Sequence, residues 1–198
     1  MTSRRDRRRL ETQDRILEAA EALFETRGYE QTKVAEICER ADVAYGTFFN
    51  HFPEKKDVLR QLAVRSVDEV ALGLEDLAKQ PGDIETLLVG LFEGAAESFL
   101  ALSPARRELV GRIQTIAYAE AGAESDRRFH AAFEGFLAEG VARGKVRDDV
   151  PLATLADVVA STFGSLSISF THFDDFPIRE RSVAAARFLA ATLSPREV

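Results

Sequence analysis

A short segment between residues 43 and 53 carries the side chains best suited to recognising another molecule. It contains no acidic residue, and its aromatic, hydroxyl, amide and imidazole groups belong to Tyr45, Thr47, Phe49, Asn50 and His51. An asparagine amide can pair with an adenine edge in the major groove, and a glycine such as Gly46 lets a backbone approach a ligand closely. Such residues on a short helix are typical of contact with a DNA groove.

Two short helices joined by a tight turn must position these groups. Apolar residues recur at helical spacing over 33–40, which predicts a first helix there with Thr32 as its N-cap. The turn falls at 41–43, where Asp42 tolerates a left-handed backbone better than most residues do. The second helix is expected over 44–51, so the segment predicts a helix-turn-helix.

At these positions the chain resembles the TetR family of transcriptional regulators. The resemblance covers about residues 10–60 and is carried by Gly28-Tyr29, Thr32, the run Gly46-Thr47-Phe48-Phe49-Asn50-His51-Phe52, and Lys55. The chain departs from the family pattern at the turn, where Asp42 replaces a common Gly. It departs again at Ala44, where Ser is usual, and at Phe49, where Tyr is usual.

The helix-turn-helix and the resemblance together suggest roles for individual residues. We expect phosphate contacts from Thr32, Lys33, His51 and Lys55. We expect contacts in or near the major groove from Tyr45, Gly46, Thr47 and Asn50. Phe49 either packs against the domain or contacts a sugar or a thymine methyl group.

The charge distribution is compatible with DNA despite a net charge of −7. Residues 1–60 hold 12 basic and 12 acidic residues, so the negative charge belongs to the remainder of the chain. Five arginines lie between residues 4 and 9, before and at the start of a first helix expected over about 8–27, and only Asp6 opposes them. They form either an arm that tracks phosphates or enters a minor groove, or a solvated disordered tail.

Composition narrows the remaining possibilities. No apolar run reaches 18 residues and no apolar segment follows the N-terminal arginines, so neither a membrane span nor a secretory signal is expected. The single cysteine, Cys38, excludes an internal disulfide and a cysteine-based zinc site. We expect Cys38 to pack in the core, the protein to act in the cytoplasm, and no metal or cofactor to be needed.

The rest of the chain is expected to be helical, giving an all-α protein of about nine helices. Helix-terminating and capping residues place the later helices at about 55–79, 83–101, 104–122, 125–143, 151–173 and 178–193. We expect a three-helix DNA-binding domain over 1–54, with the arginine-rich arm, and a larger helical bundle for ligand binding and dimerisation over 55–198.

The C-terminal half is rich in phenylalanine, which is consistent with a plain helical core or with an apolar cavity between helices. The resemblance implies an effector pocket in this half. The candidates are Phe92, Phe99, Ile113, Gln114, Tyr118, Phe133, Phe136 and Phe163.

The helices expected over 151–173 and 178–193 have the composition of an interface. The first has no charged side chain from 158 to 171, which is typical of a helix buried on several sides. It is either the centre of a monomer or, as the resemblance implies, part of a four-helix dimer interface. The candidates are Val158, Thr162, Ser165, Leu166, Ser169, Val183, Ala184 and Phe188.

The resulting hypothesis is a dimeric repressor that binds a pseudo-palindromic operator and is released by a small apolar or amphipathic effector. A helical enzyme is disfavoured because the chain has no Gly-rich phosphate loop, no Gly-x-Ser-x-Gly elbow and no local metal-ligand spacing at its three histidines. A ligand-binding or protein-interaction module without operator binding remains the alternative, and Ala44 and Phe49 are its support.

Overall fold

The computed structural model of the chain describes residues 3–119 and 122–195, without the side chains of 117–119 and 122–124. Over these residues the chain forms nine α-helices and no strand. They are α1 Arg4–Arg27, α2 Val34–Ala41, α3 Tyr45–His51, α4 Lys55–Ala78, α5 Ile84–Leu100, α6 Pro104–Ala119, α7 Gly122–Ala142, α8 Leu152–His172 and α9 Ile178–Leu193. The predicted all-α class, with a helix-turn-helix near the N-terminus, is confirmed.

Most of the later helices begin and end close to the predicted residues. Helix α5 begins after Asp83, whose carboxylate accepts a hydrogen bond of 2.8 Å from the backbone N–H of Thr86, as an N-cap should. Helix α9 has the predicted bounds. Helix α7 begins at Gly122, three residues before the predicted start.

The arginine-rich arm is helical, so the expected start of α1 at residue 8 is wrong. Ser3 caps the helix because its hydroxyl accepts from the Asp6 N–H at 3.1 Å while the Asp6 carboxylate accepts from the Ser3 N–H at 3.2 Å. This reciprocal capping box satisfies two backbone donors and starts the helix four residues earlier.

The start of α2 also differs from the prediction. Lys33, rather than Thr32, occupies the N-cap, and its backbone N–H donates to a Glu36 carboxylate oxygen at 2.8 Å. The Thr32 hydroxyl instead donates backwards to the carbonyl of Gly28 at 2.9 Å. Thr32 therefore stabilises the connection after α1 and does not cap α2.

The described chain divides into two compact units. Unit 1 comprises Met1–Val64 and Ser103–Glu120. Its core joins α1 to α2, α3 and the start of α4, and α6 adds Leu109 and Ile113 to the same cluster. The α6 segment is thus part of the unit that contains the helix-turn-helix, although it lies more than fifty residues further along the chain.

Unit 2 comprises Arg65–Leu102 and Ala121–Val198. Within it α5 packs against α9, α7 packs against α8, and α8 packs against α9. Its main core includes Phe92, Phe133, Leu137, Val159 and Leu189. The expected domain division at 54/55 stays a prediction, while the two compact units divide inside α4, at Val64.

Candidate nucleic-acid interface

Helices α2 and α3 form a helix-turn-helix whose turn depends on Asp42. Asp42 has φ 51° and ψ 54°, the left-handed conformation that the sequence suggested for this residue. This geometry lets the N–H of Val43 reach the carbonyl of Cys38 at 3.0 Å. Ile37 and Phe48 are completely buried and fix the two helices on the core of unit 1. The outer face of α3 is therefore held on a rigid support.

That outer face is exposed and carries no acidic group. Tyr45 is 58% exposed and Phe49 is 39% exposed, and Gly46 and Asn50 are exposed beside them. The rings of Tyr45 and Phe49 meet edge to face with centroids 5.0 Å apart, and Phe49 also meets buried Phe48 at 5.3 Å. Phe49 thus packs against Phe48 and is also exposed to solvent, and its contact with a sugar or a thymine methyl group stays a prediction.

Gly46 leaves open space on this face. A Cβ atom added at Gly46 would meet no other atom within 4 Å, so the protein's own packing does not require a glycine there. Because glycine has no side chain, a ligand can approach the backbone of α3 closely at this position. Thr47, the neighbouring candidate, is half-buried.

Of the two residues expected to contact phosphate at the N-terminus of α2, Thr32 and Lys33, only Lys33 is exposed to solvent. Lys33 is exposed, whereas the neighbouring Glu36 bonds to the Lys33 N–H and to the guanidinium of Arg27. The Lys33 N–H, followed by the Arg27 charge, holds the pKa of Glu36 below its usual value. The Lys33 backbone N–H is therefore already bonded to a carboxylate in the free protein, and the side chain of Lys33 is the group left to contact a phosphate.

Two residues predicted to contact phosphate have partners within unit 1, and their contacts with DNA stay predictions. Thr32 is 1% exposed, and its hydroxyl is bonded to the carbonyl of Gly28. The Lys55 ammonium is half-buried and donates to the carbonyls of Tyr29 at 2.8 Å and Thr32 at 3.1 Å. It also lies 4.2 Å from the centroid of the Tyr29 ring, so Lys55 ties α4 to the segment before α2.

His51, at the end of α3, remains a candidate with a defined charge state. It is half-buried, and desolvation followed by the charge of Arg9 lowers the pKa of its imidazole. The ring is therefore neutral at pH 7 and acts as a hydrogen-bonding group rather than as a cation.

Four of the predicted effector-pocket residues meet in the core of unit 2. Phe163 contacts the rings of Phe92 and Phe133 at centroid distances of 5.2 and 5.6 Å, and Phe129 joins them at 5.2 Å from Phe133. Phe136 is buried in the same core. Phe129 belongs to this aromatic cluster but was not a predicted pocket residue, although its spacing from Phe133 places both on one helix face.

Three of the other four candidates lie outside this cluster. Phe99 packs against Phe170 in a smaller cluster of unit 2, with centroids 5.6 Å apart. Ile113 belongs to the core of unit 1, and Gln114 is half-buried on the same helix, α6. The side chain of Tyr118 lies outside the described residues.

An open cavity of about 660 Å³ lies elsewhere in unit 2, at the connection between α7 and α8. Its lining consists of Ala138, Val141, Ala142, Arg147, Asp148, Asp149, Val150, Pro151 and Leu152. None of these residues was a predicted pocket residue. The Arg147 side chain is fixed there by Asp149, at 2.6 and 2.7 Å.

The predicted interface residues on α8 and α9 include large exposed apolar side chains. Phe188 is 71% exposed and Val158 is 52% exposed, with Ser165 and Ala184 also exposed. The half-buried members of the predicted set are Thr162, Leu166, Ser169 and Val183. Exposed apolar side chains of this size on two adjacent helices are typical of a surface that another protein covers.

Helix α8 is also long and apolar enough to cross a membrane, by length and composition alone. One face of it is buried within unit 2, through Ala156, Val159 and Phe170. A helix that packs on the core of a globular unit through one face passes the same composition test. Its apolar character is therefore accounted for by packing on one side and by the exposed surface just described on the other.

Comparisons with known proteins agree with this geometry. Residues 16–62 match the family described as bacterial regulatory proteins, tetR family. The repressor KstR of Rhodococcus jostii (strain RHA1) is 30% identical over 118 residues, which cover 59% of this chain and 54% of KstR. The chain therefore spans about half the length of this curated relative.

Solved structures extend the similarity over the whole fold. A TetR-family transcriptional regulator from Pectobacterium atrosepticum has a TM-score of 0.78 at 21% identity and covers 97% of both chains. The Thermus thermophilus repressor FadR, solved with lauroyl-CoA, has a TM-score of 0.71 at 21% identity over 94% of this chain and 97% of FadR. Residues 16–62, which include the helix-turn-helix, therefore match the tetR family of bacterial regulatory proteins, and the chain as a whole shares the fold of these solved regulators.

Proposed function

We propose that this protein is a sequence-specific DNA-binding regulator that reads the major groove with α3. The observation that carries the proposal is the exposed, acid-free face of α3 fixed on a buried core. Tyr45, Gly46 and Asn50 lie on it, and Phe48 anchors it from behind. A recognition helix needs this combination of a rigid base and a readable outer face. Lys33 and neutral His51 supply backbone contacts at its margins.

We further propose that two copies pair through α8 and α9. Phe188 and Val158 expose more apolar surface than a monomer needs, and the exposed small residues Ser165 and Ala184 allow close helix approach. A two-fold dimer presents two α3 helices to one face of DNA, so its operator is a pseudo-palindrome. Acting on chromosomal DNA places the protein in the cytoplasm.

The effector is proposed to be amphipathic, with an acyl chain as its apolar part. FadR of Thermus thermophilus was solved with lauroyl-CoA, and unit 2 of this chain holds a cluster of phenylalanine rings between α5, α7 and α8. An acyl chain is a chemically suitable partner for such rings once they separate. Helix α4 begins in unit 1 and ends in unit 2, so it provides a continuous connection for the signal.

Release of DNA requires the effector to prefer the form that does not bind the operator. A coupling free energy of about 1–3 kcal/mol is typical and lowers affinity by about 5- to 150-fold. Under this proposal the protein is a repressor, because the free protein occupies its operator and the ligand removes it. No catalytic step is part of the proposal.

Selection from a pool of random duplexes tests the DNA-binding half of the proposal. The wild-type protein should enrich a pseudo-palindrome, and Tyr45→Ala with Asn50→Ala should abolish that enrichment. Phe173→Ala, which truncates an exposed ring in unit 2, is the control and should enrich the same site. Failure of the folded wild-type protein to enrich any sequence at low salt would refute the proposal.

The enriched operator then allows the effector to be tested. Operator affinity is measured with lauroyl-CoA, with coenzyme A alone and with neither. Weaker binding with lauroyl-CoA but not with coenzyme A would assign recognition to the acyl chain. If a series of acyl chain lengths binds the protein without changing operator affinity, the release mechanism is wrong.

A further inference from the structure

The first turns of α1 project beyond the core of unit 1. Every residue from Arg4 to Leu10 is exposed, and the first buried side chain on the helix is Ile16. At a rise of 1.5 Å per residue, about 18 Å of helix separates Arg4 from Ile16. Packing on unit 1 therefore does not account for this part of the helix.

This projecting segment concentrates positive charge where a helix tolerates it least. Within the described part of the chain, Arg4, Arg5, Arg8 and Arg9 have no ion-pair partner, and Arg7 reaches Glu11 at 3.8 Å. The carboxylate of Asp6 accepts a hydrogen bond from the N–H of Ser3. Arginines in the first turns face the positive end of the helix dipole, which an external anion would offset.

Helical geometry directs two of these arginines towards the helix-turn-helix. At 100° per residue, Arg5 and Arg9 share a sector of about 60° with Ile16 and Ala20, the residues that face the core of unit 1. Ile16 and Ala20 share that core with Ile37 of α2 and Phe48 of α3. Arg5 and Arg9 therefore lie on the side of α1 that faces the helix-turn-helix, before the first buried residue of the helix.

Arg4 and Arg7 point elsewhere on the same helix. They lie about 120° and 180° from Ile16 around the helix axis. The segment thus contains two pairs of arginines with the same charge but different directions. Removing one pair or the other changes the net charge equally, so a difference between the two variants reports the direction of the side chains and not the charge.

We propose that Arg5 and Arg9 bind the DNA phosphates that flank the bases read by α3. The inference rests on the proposed function in that it takes duplex DNA as the partner. Arg5 and Arg9 lie on the side of α1 that faces the helix-turn-helix, so one duplex can contact α3 and α1 together. This favours duplex DNA over other polyanions as the partner. These contacts lengthen the footprint and strengthen binding without adding sequence information, since phosphates are the same for every base pair.

The salt dependence of binding tests the proposal directly. Each phosphate contact contributes about 0.9 to the slope of log affinity against log salt concentration. The double variant Arg5→Ala/Arg9→Ala removes two phosphate contacts from each half of the proposed dimer, four in all, so its slope should be about 3.6 shallower than that of wild type. The charge-matched variant Arg4→Ala/Arg7→Ala should retain a slope close to that of wild type. Circular dichroism and thermal melting confirm that both variants keep the fold.

The outcomes distinguish this inference from the proposed function. If the two double variants change the slope equally, the arginines act through net charge alone and the directed contact is refuted. If the Arg5/Arg9 variant alters the selected consensus, the residues read bases rather than phosphates and the proposal is likewise wrong. If wild type selects no operator, the proposed function fails, while slopes on nonspecific duplex still decide whether Arg5 and Arg9 bind phosphate.

Discussion

Substituting Gly46 by alanine should stabilise the protein and weaken its binding to DNA. Gly46 lies in α3, and a Cβ atom there meets nothing within 4 Å in the free protein. An alanine in an exposed helical position is favoured over glycine by about 0.5–1 kcal/mol. The melting temperature should therefore rise by about 1–4 °C for a protein of this size.

The DNA-bound state should respond in the opposite direction. If the backbone of α3 approaches a base edge or sugar closely, the new methyl group occupies space that DNA fills. Overpacking of a fitted surface by one methyl group costs about 1–3 kcal/mol. This corresponds to about 5- to 150-fold weaker binding at each half-site, since 1.4 kcal/mol is tenfold, and the proposed dimer carries the substitution in both half-sites.

Opposite signs for stability and affinity make the measurement diagnostic. Thermal melting gives the first quantity, and fluorescence anisotropy with the selected operator gives the second. Gly73→Ala is the matched control, because Gly73 is exposed within α4 and its added Cβ also meets nothing within 4 Å. It should gain stability to a similar extent and leave operator affinity unchanged.

A Gly46→Ala variant that binds the operator as tightly as wild type would contradict this expectation. It would mean that the backbone of α3 stays away from the groove and that side chains alone reach it. A loss of stability would point to a different error, since it would show that Gly46 has a packing role which the structure lacks.

Three further predictions concern the interface, the packing and the charge of the described residues. Phe188→Glu should convert the proposed dimer to a folded monomer in sedimentation experiments, whereas Leu72→Glu, at a similarly exposed apolar position on α4, should leave the oligomeric state of wild type unchanged. Gly140→Ala should lower the melting temperature by about 2–12 °C, because its Cβ would lie 2.6 Å from Cγ2 of buried Val146 and overpacking costs about 1–3 kcal/mol. The pKa of Glu36 is lowered in the folded state, so its stabilising effect is present above about pH 4.5 and is lost as pH falls through the lowered pKa. Wild type and Glu36→Gln should therefore differ in stability at neutral pH and converge in acid; a constant difference across that range would exclude the charge as the cause.

The sequence predicts those parts of the fold that depend on neighbouring residues. The N-cap at Asp83 and the left-handed turn at Asp42 are local backbone effects, and both are confirmed. The early start of α1 depends on the local pair Ser3 and Asp6, so the signal was present in the sequence. The run of arginines obscured it, because their charge indicates an arm as readily as a helix.

Parts of the site that depend on distant contacts were not predictable in the same way. The Lys55 ammonium bonds to carbonyls 23 and 26 residues earlier in the chain, and a charged side chain after a helix-turn-helix indicates phosphate contact equally well. Similarly, the phenylalanines of unit 2 have the composition of either a pocket or a core. Their edge-to-face packing is visible only in the folded chain.

The contribution of α6 to unit 1 has a consequence for protein engineering. Leu109 and Ile113 are buried in the same core as Phe24 and Phe48, and Arg106 bonds to Glu21 of α1 at 2.8 Å. A fragment that ends at Val64 would lose both apolar side chains, and truncation of a single buried leucine alone costs about 2–5 kcal/mol. The helix-turn-helix segment is therefore not an autonomous N-terminal domain. A chimera that joins it to another ligand-binding domain must also include α6, with the exchange points inside α4 and on both sides of α6.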